Sequence, residues 1–554
     1  MEKPVPPVSG ERLIRFDHDF SRRDALRLLG WGGALFTVPG LVGCGASGGS
    51  AASDSRIARQ GSDKPIPKLT WAVESGPRSL DFNHAFDGYS WVVFSELAEP
   101  LVATSPQGKL LPKLAVSWEQ PNPNSIVVTL RQGVKFWDGK PLTAEDVVWS
   151  LNRTGDPKVA SEFGPNWQNV DSMQATSADK ITIRLKEPDN TFIYNLRFPV
   201  IYQKEHGIAA GENFGSPTGL IMGTGPYQIK AFSPATGATM TRFAGYWGTR
   251  PLAEQIEVKV ISDPDTLRLA IQSGDVAGTF NVPQTNASAW DTMTSASVTY
   301  GPSPSVTLLI LDPTQAPFND VHARQAIAYA LDRPGIVRAI GHGHGSPANS
   351  VSSPFTWQNA ASAAEVDAFF STLPNLTLDL AAAKAELAKS ATPNGFSVTV
   401  LVPSNAFTEL SLIMQTLKEN VKGLGITIDV KEVPLADWAG SVRGKKKPPM
   451  SIAGLSPLSP DPLSLVGSLL TGGFSTYAPS GMTSDLAKYK SAAPARQLEI
   501  AKKVVTQLSA EMPFVPIVYG TASIALGKDL VFTSDITGNT STGGGWAQFI
   551  KLTS

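Results

Sequence analysis

Cysteine is almost absent from this chain of 554 residues, which contains one, Cys44. A single thiol excludes a disulfide within the chain and any metal site built from several thiolates. Six histidines leave little material for a metal centre, and 47 basic against 48 acidic side chains give a net charge of −1. That balance lacks the basic excess typical of nucleic-acid-binding proteins, so we expect no nucleic-acid partner and no cofactor.

Long apolar runs are missing as well. The stretch 28–43 is uncharged, but its sixteen residues include several glycines and a proline, whereas a membrane-spanning helix needs about 20 mostly apolar residues. A second uncharged run, 462–484, is interrupted by glycines and prolines and is rich in hydroxyl side chains. We expect that run to form surface and loop rather than a membrane span.

The N-terminus has the layout of an export signal. The pair Arg22-Arg23 precedes the stretch 28–43, and the tetrapeptide Leu-Val-Gly-Cys ends at Cys44. The arginine pair resembles a twin-arginine translocation signal, and the tetrapeptide resembles the lipobox of bacterial lipoproteins. This resemblance implies that residues 1–43 are a signal peptide that is removed, and that Cys44 becomes a lipidated first residue. The mature protein would be extracytoplasmic and anchored to the cell membrane.

Residues 44–68 form a polar segment that begins rich in glycine and serine. Such a composition buries too little apolar area to fold, so we expect a flexible tether. A chain of this kind would hold the folded body about 25–30 Å from the lipid on average. That reach allows the body to rotate towards a partner in the membrane.

Beyond the tether the patterns are mixed α and β. Alternating β-branched residues predict strands at 125–130 and 180–185. Thr143 is a typical N-cap residue and predicts a helix that begins directly after it. A second helix is predicted at about 321–331. The segment 396–433 reads as strand, helix and strand, which is a plausible βαβ unit.

The block 130–147, Leu-Arg-Gln-Gly-Val-Lys-Phe-Trp-Asp-Gly-Lys-Pro-Leu-Thr-Ala-Glu-Asp-Val, resembles the signature of a family of transport receptors. These are the extracytoplasmic solute-binding proteins of ATP-driven (ABC) importers, family 5, which bind peptides, oligosaccharides or nickel. Further blocks follow in the family's order at 223–227, 246–252, 273–276 and 317–333. Asp138-Gly139 suits a tight turn, and Gly223, Gly225 and Pro226 suit a forced bend.

The resemblance implies an α/β fold of the periplasmic-binding-protein type (cluster C), in which two lobes close over a ligand cleft and an extra domain is inserted in lobe I. It also implies a monomer that takes a small-molecule or peptide-like ligand and delivers it to ABC permease subunits, without catalysis. The expected boundaries are 69–112, 221–303 and 517–554 for lobe I, 113–220 for the inserted domain, and 304–516 for lobe III.

The segment 454–462 is the most informative about the ligand. In peptide-binding relatives a similar segment supplies an acid that pairs with the peptide's ammonium terminus, and here Leu458 occupies that place. A hydrogen bond to a charged group contributes about 1.5 to 3 kcal/mol, so its loss disfavours free-amine peptides. With a local shift of the alignment, Asp461 would take the role of this acid, and peptides with a free ammonium terminus would again be expected ligands.

Other candidate ligand contacts are aromatic or polar side chains in loop-like or strand-end positions, since planar and sugar ligands stack on ring faces. Such side chains pack in the core more often than they touch ligand. The candidates are Tyr89, Trp167, Asn281, Trp357 and Tyr519.

Alternative functions start from the loop Gly-His-Gly-His-Gly, where His342 and His344 could ligate nickel or another transition metal. Two ligands make an incomplete site, and glycine-flanked histidines are usually solvated. Metal-chelate or oligosaccharide binding on the same fold, or a ligand-sensing surface lipoprotein, also remain open. A hydrolase is disfavoured because the body beyond the tether contains no Gly-x-Ser-x-Gly elbow, no His-Glu-x-x-His motif and no thiol.

Overall fold

The computed structural model describes residues 61–283, 287–404, 407–444, 447–471, 473–477, 479, 481–540 and 544–553. The predicted export residues Arg22 and Arg23, the predicted lipidation site Cys44 and most of the predicted tether lie outside these ranges. Within them, no helix is both long enough and apolar enough to cross a membrane.

A large mixed sheet runs through the molecule. Leu69–Val73 lies at its parallel centre, between Gln255–Val260 and Gly278–Phe280. Parallel neighbours need a crossover connection, and helix Pro264–Ser273 provides it between the latter two strands. Counted over the described residues, the sheet has nine strands. In spatial order they are Tyr227–Ser233, Gly237–Arg242, Gln255–Val260, Leu69–Val73, Gly278–Phe280, Phe514–Gly527, Ala296–Leu311 and Met450–Leu455, with Ser346–Pro347 paired to Phe514–Gly527.

Two strands of this sheet, Ala296–Leu311 and Phe514–Gly527, are antiparallel partners. Phe514–Gly527 contributes to two separate hydrophobic cores, whereas Ala296–Leu311 contributes to the second of them and packs Ala296 and Val298 against a third, smaller cluster. We call them the crossing strands. The first core contains Ala522, Ile524 and Leu526 together with the N-terminal strands and the segment 69–260. The second core contains the opposite ends of the crossing strands, from Val306 onward and up to Tyr519, together with most of 318–508. The molecule therefore has two lobes that these strands connect.

Smaller sheets complete the lobes. Ser397–Pro403 and Thr427–Val433 are parallel and joined through helix Thr408–Val421, which confirms the predicted βαβ unit. The strands predicted at 125–130 and 180–185 form as Ser125–Leu130 and Lys180–Leu185, in a four-stranded sheet with Ala115–Asn122 and Val170–Ser177. The domain boundaries expected from the sequence stay predictions. The remaining strands are Gly61–Ser62, Glu99–Pro100, Val102–Thr104, Leu110–Pro112, Val200–Ile201, Leu530–Phe532 and Ile550–Thr553.

The two helices predicted near 144 and 321 form with the expected kind of cap. Thr143 and Asp146 make a reciprocal capping box, in which the Asp146 N–H donates to Thr143 Oγ1 over 3.2 Å and the Thr143 N–H donates to Asp146 Oδ2 over 2.9 Å. The described helices are Gly88–Leu97, Ala144–Gly155, Lys204–Ala210, Pro264–Ser273, Ala287–Asp291, Val321–Tyr329, Arg333–Ala339, Ala363–Phe370, Leu380–Lys389, Thr408–Val421, Leu435–Arg443, Ser464–Thr471, Met482–Ser491 and Pro494–Glu511.

The expectation of loop structure for one segment is wrong. The run 462–484, expected as surface and loop, contains helix Ser464–Thr471, whose Leu465, Val466 and Leu469 lie in the second core. Gly467 lowers the helix propensity of this segment, and three apolar residues on one face supply the burial that outweighs this cost.

The glycines of the segment 223–226 serve close packing. Gly139 has a φ of 87° in the predicted tight turn, as expected, whereas neither Gly223 nor Gly225 lies in the left-handed region. A Cβ at Gly223 would lie 2.0 Å from the Leu97 carbonyl oxygen, and one at Gly225 would lie 2.4 Å from that of Glu96. The segment therefore requires glycine for the approach of two backbones rather than for a forced bend.

Two buried carboxylates beside this contact differ in their partners. Glu99 accepts hydrogen bonds from Tyr246 Oη (2.7 Å), Trp247 Nε1 (2.7 Å) and Thr224 Oγ1 (3.0 Å). Glu96 accepts one, from the Ala547 N–H over 2.9 Å, and its Oε2 has no partner among the described residues. Burial therefore raises the pKa of Glu96 to about 7.

We expect Gly223→Ala to lower the free energy of unfolding by about 3 kcal/mol, because the new methyl group meets backbone that cannot move aside cheaply. The matched control is Gly440→Ala in helix Leu435–Arg443, where a Cβ would meet nothing within 4 Å. That change should stabilise by about 0.5–1 kcal/mol. Urea denaturation midpoints of the two variants should move in opposite directions, and a shift of the same sign would contradict the steric account.

The free energy of unfolding should depend on pH through the ionisation of Glu96. Its folded-state pKa of about 7 lies above the usual value of about 4.3, so the folded state holds the proton more tightly than the unfolded state. Stability from this group is therefore complete below about pH 4 and is lost as pH rises through about 7. Glu96→Gln should gain up to about 3 kcal/mol relative to wild type between pH 4 and 8. The melting temperatures of wild type and Glu96→Gln should be compared across that pH range. If the pKa of Glu96 is not raised, the difference between the two melting temperatures will be the same at every pH.

Candidate functional site

A cavity of about 680 Å³ lies where the crossing strands pass from one core to the other. This volume is within the range of ligand sites in proteins. The cavity is lined by both crossing strands, by the loop that carries His344 and by the segment that leads into helix Ala363–Phe370. Its lining residues are Tyr300, Gly301, Pro302, Ser303, Gly343, His344, Gly345, Ser346, Ser353, Pro354, Phe355, Gln358, Ala361, Ser362, Ala363, Val366, Asp367, Tyr519, Gly520 and Thr521.

The wall of this cavity is polar and carries little charge. Six lining residues have hydroxyl groups besides Tyr300, and three have aromatic rings, Tyr300, Phe355 and Tyr519. Asp367 is the one carboxylate, and neither lysine nor arginine occurs among the lining residues that the structure describes. Such a wall can stack a planar or sugar-like group and orient it by hydrogen bonds, but it offers an anionic group no cationic partner.

Tyr519 is the predicted contact that the structure places in this wall. Its hydroxyl accepts from the Ser350 N–H over 3.1 Å and donates to Asn349 Oδ1 over 3.2 Å. Burial raises the pKa of Tyr519 above its usual value. The ring is therefore held rigidly against the cavity by the loop 349–350.

The predicted metal-ligating loop contributes His344 to the same wall. Its ring stacks on Tyr300 with centroids 3.5 Å apart, and its Nε2 lies 3.0 Å from Asp291 Oδ2. The Tyr300 hydroxyl donates to Asp291 Oδ1 over 2.9 Å. His342 is exposed with a φ of 48°. In the part of the chain that the structure describes, no group of three His, Cys, Asp or Glu side chains could hold a metal ion.

Arg197 marks a second point of contact between the lobes. The residue ends the short helix Phe192–Arg197 and is 5% exposed. Its Nη2 donates to the Leu458 carbonyl over 2.9 Å, and its Nη1 donates to Thr104 Oγ1 over 3.3 Å and to Asn539 Oδ1 over 3.4 Å. Burial lowers the pKa of Arg197 to about 10.

The segment 454–462 reaches from the second core towards the first. The side chain of Leu458 packs against the first core, and its carbonyl is the acceptor of Arg197. Asp461 accepts from the Tyr489 hydroxyl over 2.6 Å and from the Leu463 N–H over 2.8 Å. Burial raises the pKa of Asp461 to about 6. The two predicted residues thus lie between the lobes, with the carboxylate already engaged on the side of the second core.

Tyr89 and Asn281 lie near the carboxyl ends of neighbouring parallel strands. The Tyr89 hydroxyl donates over 3.1 Å to Glu74 Oε2, directly after Leu69–Val73. Asn281 follows Gly278–Phe280 with a φ of 59°, and its N–H donates to the Ser523 carbonyl over 2.9 Å. Carboxyl ends of parallel strands are where α/β folds commonly bind ligands, and the structure puts both residues at that edge.

Trp167 and Trp357 lie inside the cores. Trp167 packs with Phe163 and Phe192 in the first core. Trp357 is fully buried in the second core, and its Nε1 donates to Ser352 Oγ over 2.8 Å. Each ring therefore supports the fold. Trp357 does so directly beneath the cavity wall, since its neighbours Phe355 and Gln358 line that wall.

Sequence reasoning missed Tyr300 and Arg197. Tyr300 stands in an unremarkable polar stretch, and nothing local distinguishes it. Arg197 carried a signal, because it is the one charge in the apolar segment 192–201, Phe-Ile-Tyr-Asn-Leu-Arg-Phe-Pro-Val-Ile. A lone charge in such a segment must find partners or stay near water.

Comparison with known proteins agrees with this geometry. Residues 109–477 match the family described as bacterial extracellular solute-binding proteins, family 5 Middle. The glutathione-binding protein GsiB of Escherichia coli K12 is 27% identical over 377 residues, which are 68% of this chain and 71% of that protein.

Two solved structures have a similar fold. One is the periplasmic binding protein DppA of Helicobacter pylori in complex with the peptide STSA (TM-score 0.72, 19% identity, 89% of this chain and 99% of that one). The other is AgaA of A. tumefaciens R10 in complex with agropinic acid (TM-score 0.72, 22% identity, 88% of this chain and 99% of that one). With two thirds of its length matched by the family and two lobes joined by crossing strands around a cleft, this chain belongs to family 5 of the bacterial extracellular solute-binding proteins.

Proposed function

We propose that this protein is a lipid-anchored receptor that captures a small organic or peptide-like solute outside the cytoplasm and delivers it to an ABC permease. The observation that carries the proposal is the cavity of about 680 Å³ at the crossing strands, between two separate cores. A ligand in that position contacts the crossing strands and the segments 343–346 and 353–367 of the second lobe, so its binding energy favours one angle between the lobes. Closure is the change of shape that a permease can recognise.

The crossing strands support this motion. Their pairing shifts register between Pro302 and Val306, opposite the residues 519–521. This irregular stretch lies between the two cores and also lines the cavity. Bending there changes the angle between the lobes without disturbing either core, as in hinge closure around a ligand.

The segment 454–462 bears on whether the ligand is held through an ammonium group. Leu458 carries no charge, and Asp461 is engaged by Tyr489 and the Leu463 N–H. These contacts favour ligands that are not held through an ammonium group at this segment. The glutathione, peptide and opine ligands named for the relatives are the first compounds to test. Binding of a bare metal ion by His342 and His344 is less well supported, because the Nε2 atom of His344 already has Asp291 as its hydrogen-bond partner.

Ligand binding should depend on the cavity. Thr521→Trp fills space in the wall, whereas Thr521→Ser preserves its polarity and nearly its volume. We expect the wild type and Thr521→Ser to show a saturable rise in melting temperature with at least one compound of a panel of glutathione, tri- to pentapeptides, agropinic acid, oligosaccharides and nickel chelates. A ligand at 100 times its dissociation constant stabilises by about 2.7 kcal/mol. Thr521→Trp should weaken that binding by about tenfold or more.

Calorimetric titration of the three proteins measures the loss directly. The ligand-free melting temperature of Thr521→Trp serves as the control for folding. Equal affinity in Thr521→Trp and Thr521→Ser would place the ligand elsewhere, and the absence of any ligand across the panel would contradict the receptor function.

The anchor can be tested independently of the ligand. Cys44→Ala should abolish incorporation of radiolabelled palmitate and release the exported protein from the membrane fraction, because no thiol remains for a lipid. The double substitution Arg22→Lys and Arg23→Lys should retain the precursor in the cytoplasm if the arginine pair directs export. Fractionation with detection of the mature chain distinguishes the two effects. Membrane association that survives Cys44→Ala would rule out lipid anchoring at this residue.

A further inference from the structure

The segment 189–191 of the first lobe contacts the end of a helix of the second lobe. The segment lies between Leu185 and Phe192, whose side chains belong to the first core. The helix is Met482–Ser491, whose buried apolar side chains belong to the second core. We call the segments 189–191 and 490–492 together the latch, because their contact forms only when the two lobes meet.

Asn190 supplies two hydrogen bonds to the latch. Its N–H donates to the Lys490 carbonyl over 2.6 Å, and its Nδ2 donates to the Ala492 carbonyl over 3.1 Å. The last carbonyls of a helix have no partner within that helix and need an outside donor. Asn190 therefore caps the C-terminus of a helix that belongs to the other lobe, and separation of the lobes leaves that helix end to water.

An ion pair accompanies these hydrogen bonds. Lys490 Nζ lies 3.2 Å from Asp189 Oδ2, and the lysine side chain is 53% exposed. An ion pair in which one partner is largely solvated contributes little and is screened by salt. The hydrogen bonds of Asn190 therefore carry the larger share of the stability of the latch.

The first-lobe half of the latch is held in shape by its own lobe. Asp189 Oδ1 accepts from the Thr191 N–H over 2.9 Å and from Thr191 Oγ1 over 2.7 Å. The Asp189 N–H donates to the Pro123 carbonyl over 3.0 Å, and Gln120 Nε2 donates to the Asp189 carbonyl over 3.1 Å. Groups that are already held in their bonding positions lose little conformational entropy when a contact forms.

The second-lobe half of the latch is also fixed in place. The Tyr489 hydroxyl donates to Asp461 Oδ2 over 2.6 Å. Gln497, on the next helix, Pro494–Glu511, donates from its Nε2 to the Tyr489 carbonyl over 2.9 Å. Two preformed surfaces therefore meet at the latch, and its hydrogen bonds form without further ordering of the chain.

The latch is separate from the cavity at the crossing strands. Neither the segment 189–191 nor the segment 490–492 occurs among the described residues that line this cavity. The contacts of the latch involve protein groups alone, so they stabilise the closed arrangement with or without a ligand. A larger population of the binding-competent arrangement raises the apparent affinity for a ligand.

We propose that Asn190 is a positioning residue of this receptor. Through the latch it populates the closed arrangement of the lobes before a ligand arrives, and it thereby sets how tightly the solute is held. This inference rests on the proposed receptor function and adds a determinant of affinity outside the cavity. Loss of the latch shifts the ligand-free molecule towards the open arrangement and speeds release of a bound ligand, because release requires opening.

The distance between labels on the two lobes tests the latch without any ligand. The chain has no cysteine besides Cys44, so in a Cys44→Ala background Lys180→Cys and Lys384→Cys supply the only thiols for spin labels. Both lysines are exposed, Lys180 in the four-stranded sheet of the first lobe and Lys384 on helix Leu380–Lys389 of the second. Pulsed electron paramagnetic resonance of this ligand-free protein should show a short-distance and a long-distance population.

Asn190→Ala should lower the ratio of the short-distance to the long-distance population by about twofold to tenfold, the range that one hydrogen bond supplies. Asn190→Leu keeps the bulk of the side chain without its donor and should lower the ratio equally. The matched control is Asn169→Ala, because the Asn169 amide donates to and accepts from the Glu187 backbone over 3.0 and 2.9 Å within the first lobe. The control should leave the ratio unchanged.

The effect on binding is measured with glutathione, Ser-Thr-Ser-Ala and agropinic acid. For each of these compounds that binds the wild type, the dissociation rate in stopped-flow displacement should rise about twofold to tenfold in Asn190→Ala. Asn169→Ala should leave that rate unchanged. A merely structural role of Asn190 would lower the melting temperature of Asn190→Ala without changing the dissociation rate.

Several results would overturn the inference. They are a ligand-free wild type without a short-distance population, an unchanged population ratio in Asn190→Ala, and an unchanged dissociation rate. A ratio that falls in Asn190→Ala but not in Asn190→Leu would assign the contact to packing and would overturn the role of the hydrogen bonds. Failure of all three compounds to bind would count against the receptor function, and the label distances would still decide whether the latch exists.

Discussion

The two crossing strands are the constraint on which the rest of the molecule depends. Phe514–Gly527 places apolar side chains in both cores, and its antiparallel partner Ala296–Leu311 places them in the second core and against a third, smaller cluster. Their antiparallel ladder fixes the lobes relative to one another, except where the pairing shifts register between Pro302 and Val306. The residues 301–303 beside this shift also line the cavity, so the irregular part of the connection coincides with the candidate site.

Electrostatics at the boundary follow a different principle from electrostatics inside a lobe. Within the first core, Glu99 forms an ion pair with Lys113 over 3.1 Å and accepts hydrogen bonds from three further side chains. Within the second, Arg333 satisfies most of its donors through backbone carbonyls. At the boundary, the Arg197 Nε–H has no acceptor among the described residues, and its Nη2 donates to the Leu458 carbonyl of the segment that extends from the second core. Arg333 likewise keeps one donor, Nη2, without an acceptor among the described residues, so the two buried arginines differ in whether their acceptors come from one lobe or from both.

The local elements were predictable because their signals are local. The strand Ser125–Leu130 follows from alternation over six residues, and the helix after Thr143 follows from its cap and the acid at Asp146. Helix Ser464–Thr471 is not predictable from the local pattern, because Gly467 lowers helix propensity and only tertiary burial of the apolar face outweighs that cost. The overall fold came from the long block 130–147, a resemblance rather than a derivation from pattern.

The candidate site was less predictable because its parts are far apart in sequence. Trp167 and Trp357 have the composition of ligand contacts, yet both point into cores, and a sequence does not show which face of a loop a ring takes. The partners of Arg197 lie 93, 261 and 342 positions away. The family motifs, by contrast, are local and structural: the capping box at Thr143 and the backbone contact at Gly223 hold the fold whatever is bound. Residues that identify the family are therefore separate from the candidate ligand contacts, whose positions become visible only in the folded chain.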